Sequence, residues 1–245
     1  MERMRKGKEV QRFAAFAVVV MAASLLIGFR SCRTKICMAK PGIAKEKVHT
    51  YKDGFTYQKL TDEVIERIKG KSYKEDADIP LGRLRYLRIL YVDFKGNVKS
   101  GEMIVNRKIA RRTLKVFYRL YQIGYPIQRM RLVDDYGADD EASMAANNTS
   151  AFNYRKIAGT DKLSNHSQGL AIDINPKINP YITSKGIAPA NSRRYKEREV
   201  SKCRGKYKDY MIHKGDEVYK IFKKYGFSWG GNWKHAKDYQ HFEYV

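Results

Sequence analysis

Ser164-Asn165-His166-Ser167-Gln168-Gly169-Leu170-Ala171-Ile172-Asp173 is the stretch on which the reading of this chain turns. It sets a His and an Asp seven residues apart with a Gly between them. Protein groups that share one metal ion sit about 2.0–2.2 Å from it, so their donor atoms nearly touch. Seven residues of helix span about 10.5 Å, too far for that. A loop that bends at Gly169, where glycine tolerates a tight backbone, and returns as a strand brings the two groups together. Leu170, Ile172 and Ile174 alternate with Ala171 and Asp173, which predicts such a strand. The first set points into the core, Ala171 and Asp173 point into a cleft, and Pro176 ends the run.

The chain closes on a second group, Asp238-Tyr239-Gln240-His241-Phe242-Glu243. Read as a strand, it puts His241 and Glu243 on one face and Phe242 and Tyr244 on the other. His166, Asp173 and His241 are then three metal ligands that leave a fourth position open, the donor set of a catalytic zinc site with one Zn(2+) per chain. Closed structural sites favour Cys, and Cys32, Cys37 and Cys203 all lie outside both motifs. Asp238 sits where the chain enters the strand, close enough to reach an attacking water without being a ligand. Glu243 is placed to orient the His241 imidazole, and Ser164 to hydrogen-bond substrate.

Ser164-x-His166-x-x-Gly169-x-Ala171-x-Asp173 followed by Asp238-x-x-His241 resembles the zinc D-alanyl-D-alanine carboxypeptidases of the VanY type and the related L-alanyl-D-glutamate peptidases of phage endolysins. The resemblance takes in Met144–Arg155, Asp173–Tyr181 and Trp229-Gly-Gly-x-Trp233, and spans roughly Tyr125 to Val245. It implies hydrolysis of an amide bond in peptidoglycan peptides, with Asp238 as the catalytic acid/base and Arg155 as a substrate residue that polarises the scissile carbonyl. The Asp at position 238 is closer to the endolysin branch. A non-catalytic cell-wall-binding module with a retained metal site is the alternative. The expected fold is α+β: a small, mostly antiparallel sheet with helices packed on one face and the zinc site on the other, similar to DD-peptidase and Hedgehog domains.

The rest of the chain fits one such domain behind an N-terminal appendage. Residues 1–12 form a basic flank, and 13–29 an uncharged, mostly apolar run of 17 residues that reads as a signal or membrane anchor. Residues 30–50 read as a tether and 51–245 as the catalytic domain. This arrangement places the domain outside the cytoplasmic membrane, in the periplasm or cell wall, anchored by 13–29 or secreted if that run is cleaved. The 43% hydrophobic and 12% aromatic content suffices for a packed core and argues against disorder.

A net charge of +23 predicts attraction to polyanions such as anionic cell-wall polymers or lipid. No zinc-finger or RNA-recognition pattern accompanies it, so no specific nucleic-acid partner is expected. The densest basic stretch, Asn191–Lys208, lies in a long insertion, Asn175–Lys214, between the two motifs.

Periodicity predicts helices over Thr61–Lys69, Lys108–Ile123 and Asp216–Tyr225. It also predicts a hairpin from Leu87–Phe94 and Val98–Val105 around Lys95-Gly96-Asn97, and a strand over Ile127–Val133. Asp134–Asn148 reads as an irregular acidic loop on the rim of the cleft. His49, His213 and His235 read as loop histidines without a site role.

Overall fold

In the computed structural model, which describes residues 47–157 and 159–245, the described part begins with strands that form two antiparallel hairpins. Strands β1 (His49–Lys52), β2 (Phe55–Gln58), β3 (Leu84–Val92) and β4 (Val98–Asn106) form one four-stranded sheet in that order. The predicted turn at Lys95-Gly96-Asn97 is present. The Asp93 carboxylate accepts from Lys95 N at 2.8 Å and Asn97 N at 2.9 Å, the local bonding that makes Asp a turn residue. The β1–β2 hairpin was not expected, and the boundary drawn at residue 50 falls inside β1. Its signal is the Asp53-Gly54 dipeptide, a tight-turn sequence.

Helix α1 (Asp62–Ile68) starts at Thr61, whose hydroxyl accepts from Val64 N. Helix α2 (Ala110–Gln122) buries Ala110, Thr113, Leu114, Val116, Phe117 and Leu120, the stripe that its period predicts. It packs on the first sheet, with Tyr118 and Tyr121 edge-on to Phe55 at 5.2 and 5.7 Å.

The strand expected over Ile127–Val133 shrinks to β5 (Arg129–Met130). Leu132 is the last extended residue before a 3-10 turn, Val133–Tyr136, which buries Asp134 on Ser72. Nor is the acidic stretch irregular. Asp139 caps α3 (Asp140–Ala145) by accepting from Ala142 N at 2.9 Å, and Asp140 and Glu141 occupy the helix's first turn, where negative charge is favoured. Strand β6 (Asn148–Thr149) then pairs in parallel with β5.

Strand β7 (Ala171–Asp173) is followed by the hairpin β8 (Tyr181–Thr183) and β9 (Gly186–Ala188), and by the basic insertion. Helix α4 (Glu217–Lys224) is capped by Asp216, which accepts from Tyr219 N at 2.7 Å. Strands β10 (Ser228–Trp229), β11 (Lys237–Asp238) and β12 (His241–Glu243) complete the chain. They build two further three-stranded sheets, β10-β12-β7 and β11-β8-β9.

The architecture is α+β with small antiparallel sheets, several where one was expected. A shared core joins α2, α4 and the β10-β12-β7 sheet: Phe242 of β12 stacks on Phe222 of α4 at 3.8 Å, with Ile172 and Trp229 beside them. Among the described residues no helix is long and apolar enough to cross a membrane. The basic flank, the apolar run 13–29, Cys32 and Cys37 lie outside the described residues.

Candidate active site

Strand β12 lies between β10 and β7, and its antiparallel register sets His241 directly opposite Asp173. Directly opposed residues hold their Cβ atoms about 4.5–5.5 Å apart, so strand pairing alone brings this imidazole and carboxylate together. His241 Nδ1 is 3.2 Å from Asp173 Oδ1. His166 arrives on a 3-10 turn, Asn165–Gln168, whose first residue follows a cap: Ser164 Oγ accepts from His166 N at 3.3 Å. Gly169 ends the turn at φ 62, and a Cβ there would lie 2.7 Å from Asn106 N. Only glycine lets the turn rest on β4 and pass straight into β7. His166 Nε2 thereby comes within 3.2 Å of Asp173 Oδ2 and 3.1 Å of His241 Nδ1.

Donor atoms of His166, Asp173 and His241 all lie within 4.8 Å of one another, and all three residues are buried. Each imidazole is also oriented from behind. His166 Nδ1 donates to the Ala151 carbonyl, and His241 Nε2 donates to Glu243 Oε2 at 3.3 Å. With both rings neutral, these bonds leave His166 Nε2 and His241 Nδ1 free as ligand atoms facing each other beside a carboxylate. Such a set repels itself unless a cation stands within it. Two imidazole nitrogens and a carboxylate, each imidazole held by an outer hydrogen bond, fit a zinc ion.

The electrostatics agree. Burial opposes a charged ring at His241, yet Asp173 and Glu243 raise its pKa to about 10. Burial likewise opposes charge on Asp173, but the two imidazoles hold its carboxyl well below the usual range. The site therefore draws positive charge inward.

Asp238 is delivered by a different sheet from the one expected. It lies on β11, paired with Tyr181 of β8, and the chain crosses to β12 over Tyr239-Gln240. Although the residue is partly exposed, its Oδ1 is enclosed and has no hydrogen-bond partner. Burial pushes its carboxyl up, with His241 opposing and Asp173 adding, to about 7. A carboxyl that titrates near neutrality suits proton transfer. Gly230 makes room for it, since a Cβ there would lie 2.7 Å from Asp238 O and 3.3 Å from His241 Cβ.

His166, Asp173, Asp238 and His241 open into one pocket of about 460 Å³, which Ser164, Arg155 and Glu243 also line. Its apolar wall is Met144, Ile157, Leu163 and Trp233. Arg155 Nη2 pairs with Asp140 Oδ2 at 2.7 Å, while its enclosed Nε has no partner. Asp140, in the stretch expected to be an irregular acidic loop on the rim, instead holds the pocket's arginine. Asn165, beside a ligand in the motif, donates to Glu243 and was not singled out from sequence.

The two tryptophans divide. Trp229 is core, with Nε1 donating to Tyr239 O at 3.0 Å, and Trp233 lies 5.3 Å from the His241 ring. Ala171, expected to face the cleft, is fully buried under Glu243, its cross-strand partner. Leu170, expected in the core, is only partly buried at its edge. A larger groove of about 980 Å³ lies between α1 and β3–β5, but it is lined by no histidine and is remote from this chemistry.

Residues 158–244 match the family model described as D-alanyl-D-alanine carboxypeptidase. That segment, 87 of the chain's 245 residues, is similar to the family. It contains every proposed metal ligand, Asp238 and Ser164, whereas Arg155 and the upstream stretch Met144–Arg155 lie before it. The comparisons with curated proteins and with solved structures returned no match.

Proposed function

We propose that the chain is a zinc-dependent peptidase that hydrolyses an amide bond in peptidoglycan peptides, of the D-Ala-D-Ala carboxypeptidase or L-Ala-D-Glu peptidase type. The observation that carries this reading is the convergence of three ligand atoms within 4.8 Å beside the Asp238 carboxylate, whose enclosed Oδ1 has no hydrogen-bond partner. His166 Nε2, Asp173 and His241 Nδ1 would hold the metal. Bound there, zinc would supply Lewis acidity for the scissile carbonyl and lower the pKa of water.

The chain's own groups do the rest. Asp238 takes the proton of the attacking water at its carboxylate and returns it to the leaving amine. Arg155, fixed by Asp140, stands in the wall as a cation for the developing oxyanion. Met144, Ile157, Leu163 and Trp233 exclude water around the peptide. The same reading places the domain outside the cytoplasmic membrane; support comes from the basic flank and apolar run of residues 1–29.

Free amine released from purified peptidoglycan peptides, measured with and without a chelator, tests the activity, and the mass of the released fragment identifies the bond. His166→Ala, Asp173→Ala and His241→Ala should each lose zinc and activity together. One zinc per chain retained in all three would reject the site.

A further inference from the structure

The insertion between β9 and α4 carries a second surface. Residues 191–208 hold eight Lys and Arg against two acids. Arg198 alone turns inward, donating to Ile178 O at 3.1 Å and to Ile212 O, and lying 4.1 Å over the Tyr239 ring. The other seven are exposed. Glu199 is taken by Lys202 at 2.6 Å, and Glu197 accepts the backbone N–H groups of Arg198 and Glu199. Among the described residues, Arg193, Arg194, Lys196, Arg204, Lys206 and Lys208 form no ion pair.

Folding brings these cations together. Gly205, at φ 108, packs so closely on the other run that a Cβ there would lie 2.9 Å from Arg194 Cδ and 3.0 Å from Tyr195 Cε1. Arg193–Lys196 and Arg204–Lys208 are therefore adjacent on one face. They are held by a small core of Ile178, Tyr195, Cys203 and Met211. Placing like charges side by side costs free energy, and the packing beneath them holds the cations together against it; Glu197, Glu199 and Asp209 are too few to balance the eight Lys and Arg, which leaves a cationic surface. It begins at the cleft. Ala190 N donates to Glu141 Oε1 at 2.7 Å and Asn191 Nδ2 to Ala145 O at 3.1 Å, while Glu141 and Ala188 line the pocket.

We propose that this face docks a linear phosphodiester polyanion of the polyol-phosphate kind, tethering the cleft to the matrix that carries its substrate. Single-stranded nucleic acid fits less well. Its binding needs rings free to stack on bases, and here Tyr207 and Tyr210 pack on Phe94 at 4.5 and 5.2 Å. A bilayer surface fits less well too, because an interfacial element needs an apolar face and Val200 is the one large exposed hydrophobic residue on this stretch. The proposal goes beyond the peptidase reading, and its test involves no turnover.

Binding of the full chain to soluble poly(glycerol phosphate) is measured across a salt series, beside an oligo(dT) strand and phosphatidylglycerol vesicles. The variant Arg193→Gln/Arg194→Gln/Arg204→Gln/Lys206→Gln is compared with a control, Lys71→Gln/Lys74→Gln/Arg107→Gln/Lys108→Gln, which removes equal charge elsewhere. The insertion variant should bind poly(glycerol phosphate) about tenfold or more weakly, with a salt slope shallower by about 3, and the control should change little. Equal losses in both variants would overturn the proposal by reducing it to net charge. Tighter binding of the wild-type chain to oligo(dT) or to vesicles than to poly(glycerol phosphate) would overturn it in favour of that partner.

Discussion

Glu243 touches no reacting atom, yet it fixes which nitrogen of His241 is free. Its carboxylate accepts from His241 Nε2 at 3.3 Å and is itself held by Asn165 Nδ2. These two partners lower its pKa against burial: the His241 bond acts first, burial opposes, and Asn165 adds. A partner of this kind tunes the ligand's orientation and basicity rather than the chemical step. Glu243→Ala should therefore bind zinc about 10–100-fold more weakly while keeping part of its turnover at saturating zinc. Zinc titration followed by an assay at saturating metal checks it; unchanged affinity would mean that the carboxylate does not orient the ring.

At the scale of elements, three separate pieces converge on a pocket of about 460 Å³: the turn before β7, strand β12 and strand β11. Gly230 lets the last two approach. In Gly230→Ala the new Cβ meets the Asp238 carbonyl at 2.7 Å, which is backbone and cannot swing aside. Misplacing a catalytic group by about 1 Å can cost about 100-fold in rate. We expect Gly230→Ala to lose turnover by about that factor while it still folds and binds zinc. Gly82→Ala, with nothing within 4 Å of its Cβ, should change neither. Equal activity in the two variants would show that the approach is not critical.

The same scale separates what was legible in the sequence from what was not. The convergence of His166, Asp173 and His241 was readable because strand alternation and a bend at Gly169 are local rules. The pairing of Asp238 with Tyr181 of β8 was not, because it depends on a hairpin inside the insertion. Leu132 and Val133 looked like strand but turn inward to bury Asp134 on Ser72, a contact 62 residues distant in sequence.

Across the whole molecule, polar contacts between distant segments lock these elements in place. Asn175, at φ 45 and wholly buried, accepts from Gln128 N at 3.0 Å and donates to Pro126 O at 2.9 Å, tying β7 to the segment before β5. Arg67 of α1 grips Glu102 of β4 through two bonds, 2.9 and 2.7 Å, and Tyr86 adds a third at 2.6 Å. Burial opposes charge on Glu102, but Arg67 and Tyr86 outweigh it and lower its pKa. Its stabilisation is thus present above the unfolded value, about 4.3, and is lost as pH falls through the lower folded value. Because Arg67 is a third exposed, with 34% side-chain exposure, screening limits the effect to about 1 kcal/mol. Glu102→Gln should be less stable than wild type by about that amount at neutral pH in urea unfolding. The gap should close in acid; a gap of equal size in acid would show that charge is not its source.

The most direct measurement is turnover of a peptidoglycan peptide by Asp238→Ala at saturating zinc, with metal content determined on the same sample. His166, Asp173 and His241 remain in this variant, so zinc should stay bound at one per chain. Turnover should fall by about 10²–10⁴-fold, because no other carboxylate in the pocket has an enclosed oxygen without a hydrogen-bond partner. Near-normal turnover in a zinc-replete Asp238→Ala would contradict the account.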